Sequence, residues 1–84
     1  MKATILLVDD EPEIAGLLAV YLKNEGYEVH TATTGEQALQ SIRSSPPALT
    51  LLDVMLPDTD GFSLCRQIRE TYFFPIIMLT AKGE

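Results

Sequence analysis

Three stretches of the chain, Ile5-Leu6-Leu7-Val8, Leu49-Thr50-Leu51-Leu52 and Ile76-Ile77-Met78-Leu79, are apolar with almost no interruption and do not alternate with polar residues. A strand with one wet face shows a period of two, whereas a strand covered on both faces reads as a continuous apolar run. Strands of that kind belong to parallel sheets, whose neighbours are joined by helical crossovers. The same pattern is far too short to cross a membrane.

The segments between the runs have the character of such crossovers. Pro12 suits the first turn of a helix, with Asp10, Glu11 and Glu13 near its positive end. Ile14, Leu17, Leu18, Tyr21 and Leu22 are expected to share its buried face, and Gly26 to end it. Tyr27 to Ala32 reads as a second strand. Thr33 or Thr34, followed three positions on by Glu36 or Gln37, reads as a capping box that opens a second helix with Ala38, Leu39 and Ile42 inward. Ser44-Ser45-Pro46-Pro47 breaks that helix, and the strand behind it ends at Asp53. Pro57, Asp58, Asp60 and Gly61 form a turn-rich loop. Asp60 is placed to cap a third helix with Phe62, Cys65 and Ile68 near one face, and Pro75 to Thr80 reads as the fourth strand. The expected architecture is α/β: an open parallel sheet of four strands with helices on both faces.

Composition excludes several functions. The 84 residues allow one domain, and six basic against twelve acidic side chains leave a net charge of −6. Phosphate backbones and anionic lipids select Lys and Arg, so neither direct nucleic-acid binding nor a membrane surface is expected of this segment. One cysteine, Cys65, permits neither an internal disulfide nor a cysteine zinc site, which suits a cytoplasmic setting. Asp9 and Asp10 cut the apolar start short, so it does not read as an export signal.

Polar residues that follow the apolar runs are the candidates for chemistry. Asp9 and Asp10 follow the first strand, Asp53 the third, and Thr80 ends the fourth. Open α/β sheets bind ligands beyond the carboxyl ends of their strands, where strand order reverses, and all these residues converge there. Three carboxylates in one crevice repel one another unless one takes a proton or a cation lies between them. A hard divalent ion held by carboxylates, a backbone carbonyl and a phosphate oxygen answers that requirement. The plain alternatives are helix capping by Asp9 and Asp10, a turn-starting role for Asp53 and an idle strand hydroxyl at Thr80.

Leu7-Val8-Asp9-Asp10-Glu11, Asp53-Val54-Met55-Leu56-Pro57 with Asp60-Gly61, and Leu79-Thr80-Ala81-Lys82 together resemble the receiver domain of two-component response regulators. The resemblance runs from Lys2 to Glu84. It implies a flavodoxin-like fold with strand order 2-1-3-4-5, here incomplete after the fourth strand. It further implies Asp53 as phosphoacceptor, with Asp10, Asp53 and the Met55 carbonyl as ligands of Mg²⁺ (or Mn²⁺) and Asp9 acting through a bound water. Thr80 matches the switch hydroxyl, Ala81 the small residue that leaves the phosphoryl group accessible, and Met55 and Lys82 the variable positions that tune its lifetime. The implied partner is a sensor histidine kinase, and the implied role is a switch rather than turnover of a substrate. The motifs around Met55 and Thr80 are similar to the winged-helix (OmpR/PhoB-like) subfamily, whose DNA-binding output lies outside this segment.

The family's phosphoryl-pairing lysine, fourth helix, fifth strand and fifth helix have no counterpart within these 84 residues. The expectation is therefore the N-terminal part, residues 1–84, of a single receiver domain. Its open sheet edge favours self-association or a domain-swapped dimer. A phosphorylation-incompetent dimerisation or interaction module is the alternative reading. A magnesium-dependent aspartyl phosphatase wants a second aspartate two residues after the nucleophile, where this chain has Met55, and a nucleotide-binding domain wants a Gly-rich loop after the first strand. His30 reads as a surface or satisfied residue, Cys65 as packing, and most of Phe62, Tyr72, Phe73 and Phe74 as packing of the helix and of the loop before the fourth strand.

Overall fold

The computed structural model describes residues 2–79. In chain order the elements are β1 (Thr4–Val8), α1 (Pro12–Asn24), β2 (Glu28–Ala32), α2 (Gly35–Ser44), β3 (Leu49–Asp53), α3 (Gly61–Arg69) and β4 (Ile76–Leu79). The strands form one parallel sheet in the order β2-β1-β3-β4. Leu7 lies between Thr31 and Leu51, and Asp53 pairs with Leu79, so the carboxyl ends of β1 and β3 are side by side.

Alternation along the strands feeds two separate cores. Leu6, Val8 and Leu52 point to one face, where Ala38 and Ile42 of α2 and Leu64 and Ile68 of α3 close over them. Leu7 points to the other face, against Ala15 and Ala19 of α1, with Val29, Leu51 and Leu79 partly covered around it. Leu6, Leu7, Ile42, Leu52, Leu64 and Ile68 are almost wholly buried. Burial of each such side chain is worth about 1.5–3 kcal/mol.

Helix boundaries follow local chemistry. Gly26 takes φ 98°, and its N–H bonds the Lys23 carbonyl (3.0 Å) while Tyr27 N–H bonds that of Leu22 (3.1 Å). That is a Schellman stop, which needs a residue tolerant of the left-handed region. Thr34 caps α2 by accepting from Gln37 N–H (3.0 Å), and Gln37 Oε1 reaches back to Thr33 N–H (2.9 Å). Asp60 caps α3, accepting from Ser63 N–H (2.8 Å).

Two expected helix faces are corrected. In α1 the inward residues are Ala15, Leu18, Ala19 and Leu22, while Ile14, Leu17 and Tyr21 are exposed, Leu17 by 74%. The helix is apolar on nearly all sides, so periodicity alone does not select a face, and the two alanines let it lie close to the sheet. In α3 Leu64 and Ile68 are buried, with Cys65 half-buried, whereas Phe62 is 55% exposed. Tyr27 and Pro75 lie just outside the strands expected to include them.

Candidate functional site

Asp9 continues the line of β1, its N–H bonding the Ala32 carbonyl at 3.0 Å, and its side chain is only 5% exposed. Asp53, the last residue of β3, is 3% exposed, and Asp10 is exposed at the rim. Each of the three offers a carboxylate oxygen within 4.8 Å of the other two.

The internal hydrogen bonds leave part of this cluster unsatisfied. Asp9 Oδ1 accepts from Glu11 N–H (2.9 Å), and Asp53 Oδ1 accepts a long bond from Met55 N–H (3.4 Å). Asp53 Oδ2 is buried and has no partner among the described residues. Burial pushes the Asp9 carboxyl above its ordinary 3.8; the Glu11 N–H opposes the shift, and the charges of Asp53, Asp10 and Glu11 add to it. A buried, unpartnered carboxylate oxygen beside two further carboxylates is a donor set for a hard cation, so the residues fit a magnesium-type site.

The loop after β3, residues 54–60, starts directly after Asp53 and is closed by its own backbone bonds. Met55 bridges to Asp60, Leu56 N–H bonds the Thr59 carbonyl (3.2 Å), and Gly61 N–H bonds that of Val54 (2.6 Å). These bonds fold the loop back over the end of β3, while the Met55 side chain stays 63% exposed. Gly61 makes the return possible. A Cβ there would lie 2.5 Å from the Asp53 carbonyl oxygen and 2.9 Å from Met78 Cε.

The structure thus brings together Asp9, Asp10 and Asp53, with Met55 on the adjoining loop. Thr80 and Ala81, expected as switch hydroxyl and access residue, lie outside the described residues, as does Lys82. His30 is apart from the cluster and pairs with Glu28 on β2 (3.1 Å). Sequence reasoning passed over Asp58, which it took for an ordinary turn residue. Both of its carboxylate oxygens bond backbone N–H groups of α2. Gly35, directly after a capping threonine, is the signal that a second chain segment approaches there.

An open parallel sheet in this order, with carboxylates gathered at the carboxyl ends of its two central strands, is the flavodoxin-like receiver fold, here with four strands and three helices among the described residues. Residues 5–84 match the response regulator receiver domain family. Over its full length the chain is 52% identical to regulatory protein VanRc of Enterococcus gallinarum, and over 98% of its length 50% identical to regulatory protein VanR of Enterococcus faecium. It spans 36% of the length of each of those proteins. Among solved structures it superposes on the BeF3-activated N-terminal receiver domain of Klebsiella pneumoniae RstA with a TM-score of 0.90 at 38% identity, covering 96% of this chain and 69% of that one. The chain belongs to the response regulator receiver family and is a receiver domain of the two-component type.

Proposed function

We propose that Asp53 accepts a phosphoryl group from the phosphohistidine of a sensor histidine kinase, with Mg²⁺ or Mn²⁺ at the acid cluster, and that the modified chain switches an output segment of winged-helix, DNA-binding type in a longer parent. The observation that carries this reading is the buried Asp53 Oδ2, which has no partner among the described residues and stands within a three-carboxylate cluster. In the transfer, an Asp53 oxygen bonds to phosphorus while the bond from phosphorus to the imidazole nitrogen breaks. The imidazole leaves with that electron pair, and Asp53 becomes an acyl phosphate that water later hydrolyses. Asp10, Asp53 and the Met55 carbonyl would hold the cation, with Asp9 acting through a water. When bound, it neutralises the charge that otherwise keeps an anionic phosphodonor away from three carboxylates.

The chain's own residues supply the remainder. Asp53 is presented from the end of β3 with 3% exposure, and the folded-back loop carries Met55 beside it, which supports a positioned acceptor. Thr80 would turn its hydroxyl to the new phosphoryl oxygens and Ala81 would leave them room, so modification biases the neighbouring loops toward a second arrangement. With β4 on the rim of the sheet and Ile77 51% exposed, the 84-residue segment is expected to self-associate, which sedimentation at micromolar concentration tests.

Incubation with acetyl phosphate and Mg²⁺ should yield an acid-stable, base-labile phosphoryl adduct that Asp53→Asn abolishes and EDTA prevents. An adduct that survives Asp53→Asn would move the acceptor elsewhere. No adduct on the wild-type chain would favour the phosphorylation-incompetent interaction module.

A further inference from the structure

Helix α2 opens with three backbone N–H groups, those of Gly35, Glu36 and Gln37, that have no partner within the helix, because its first internal bond runs from Ala38 N–H to the Thr34 carbonyl (3.0 Å). Thr34 Oγ1 accepts from Gln37. The other two go to Asp58, twenty-three residues beyond Gly35: Oδ1 accepts from Gly35 N–H (2.8 Å) and Oδ2 from Glu36 N–H (3.1 Å). One carboxylate therefore completes the cap of a helix to which it does not belong. A side chain at Gly35 would crowd this contact, because a Cβ would stand 2.6 Å from Thr59 Cγ2, which would have to move, and 3.4 Å from Asp58 Oδ1.

Asp58 sits in the 54–60 loop, three residues after Met55. Other hydrogen bonds of that loop, from Leu56 N–H to the Thr59 carbonyl, from Gly61 N–H to that of Val54 and, at 3.4 Å, from Met55 N–H to Asp53 Oδ1, stay within it and its flanks. They set its shape. The bonds to Asp58 fasten it to a separate helix, α2, which packs beside α3 on the same face of the sheet.

We infer that Asp58 is a positioning residue for the acid site: by clasping the β3–α3 loop to the N-terminus of α2, it fixes the Met55 carbonyl relative to the Asp53 carboxylate. The metal half of this inference rests on the reading of the cluster as a Mg²⁺ site. The Gly35 N–H bond, with support from that of Glu36, holds the Asp58 carboxyl below its ordinary range, so the clasp is made by the ionised group at neutral pH.

The test compares Asp58→Ala, Asp58→Asn, Gly35→Ala and Thr34→Ala in the full chain. Thr34→Ala removes a bond at the same helix end but leaves the loop attached. Two readouts are taken: amide hydrogen exchange at Leu56 and Gly61 without metal, and Mg²⁺ affinity by calorimetry. Asp58→Ala and Gly35→Ala should speed exchange at both amides and weaken Mg²⁺ binding about tenfold, the scale of lost outer-shell support. Asp58→Asn, which retains one acceptor oxygen, should fall between, and Thr34→Ala should leave both readouts near wild type. Unchanged exchange in Asp58→Ala, or equal changes in Thr34→Ala, would overturn the clasp. If Asp58→Ala does not fold, Gly35→Ala and Asp58→Asn decide. A wild-type chain that binds no Mg²⁺ would refute the metal reading and the metal half with it, while the exchange data would still decide whether Asp58 holds the loop.

Discussion

Replacing Asp9 by Asn should stabilise the metal-free chain at neutral pH. Asn retains the acceptor oxygen that receives the Glu11 N–H (2.9 Å in the wild type) and removes one of three negative charges. Two like charges within 4.8 Å repel by about 0.9 kcal/mol at the dielectric of water and about 3.5 kcal/mol at an effective dielectric of 20. Taking the lower figure, the melting temperature in EDTA should rise by roughly 4–8 °C for a domain of this size. The raised pKa of Asp9 fixes the pH dependence. A carboxyl that is harder to ionise in the folded state costs stability above its folded pKa, and the cost disappears as pH falls through that value to the unfolded 3.8. The two proteins should therefore converge in acid. Added salt should narrow the gap at neutral pH. Saturating Mg²⁺ should reverse the order, since a ligand at a hundred times its Kd stabilises the wild type by about 2.7 kcal/mol. Thermal denaturation followed by circular dichroism, with EDTA or MgCl2 across pH, measures all of this. A variant less stable than wild type in EDTA, with no pH convergence, would refute the repulsion argument.

Thr50 is fully buried in β3 with its hydroxyl unpartnered among the described residues, so Thr50→Val, of the same shape, should gain about 1 kcal/mol in urea denaturation. A loss would mean that the hydroxyl is bonded. Gly61→Ala should cost about 1–3 kcal/mol or more, because the added carbon meets the Asp53 carbonyl and the Val54 Cα, neither of which can swing aside, and phosphoryl uptake should fall with it. Asp60→Asn keeps the α3 cap but removes a carboxylate that the Ser63 N–H and hydroxyl hold below the ordinary pKa. Ionised Asp60 thus contributes stability above pH 3.8 that is lost as pH falls through its folded value, so wild type should exceed the variant near neutrality and match it in strong acid. An equal gap at every pH would contradict that assignment.

The parts of this structure that were legible in the sequence are those governed by a single local rule. Unbroken apolar runs gave away the strands β1, β3 and β4, although only the first two are largely covered on both faces and Ile77 of β4 is 51% exposed, and acids directly after two of them marked the pole where Asp9, Asp10 and Asp53 meet. Gly26 and Asp60 announced helix ends because each acts on its own neighbours. What escaped depends on a choice between equivalents or on distant contacts. The α1 helix is apolar almost all round, so the choice of Ala15 and Ala19 over Ile14, Leu17 and Tyr21 is made by how near the helix lies to the sheet. Phe62 fits the α3 stripe as well as Leu64 does, and the fold buries the latter. Asp58 is fully accounted for as a loop residue until the three-dimensional path places Gly35 against it.

Crystals grown or soaked with Mn²⁺, examined by anomalous scattering, test the central claim most directly. One peak should lie against Asp10 and Asp53 carboxylate oxygens and the Met55 carbonyl, with Asp9 reached through a water, and it should vanish in Asp53→Asn. A well-ordered wild-type map with no density there, or with the ion bound elsewhere, would contradict the account.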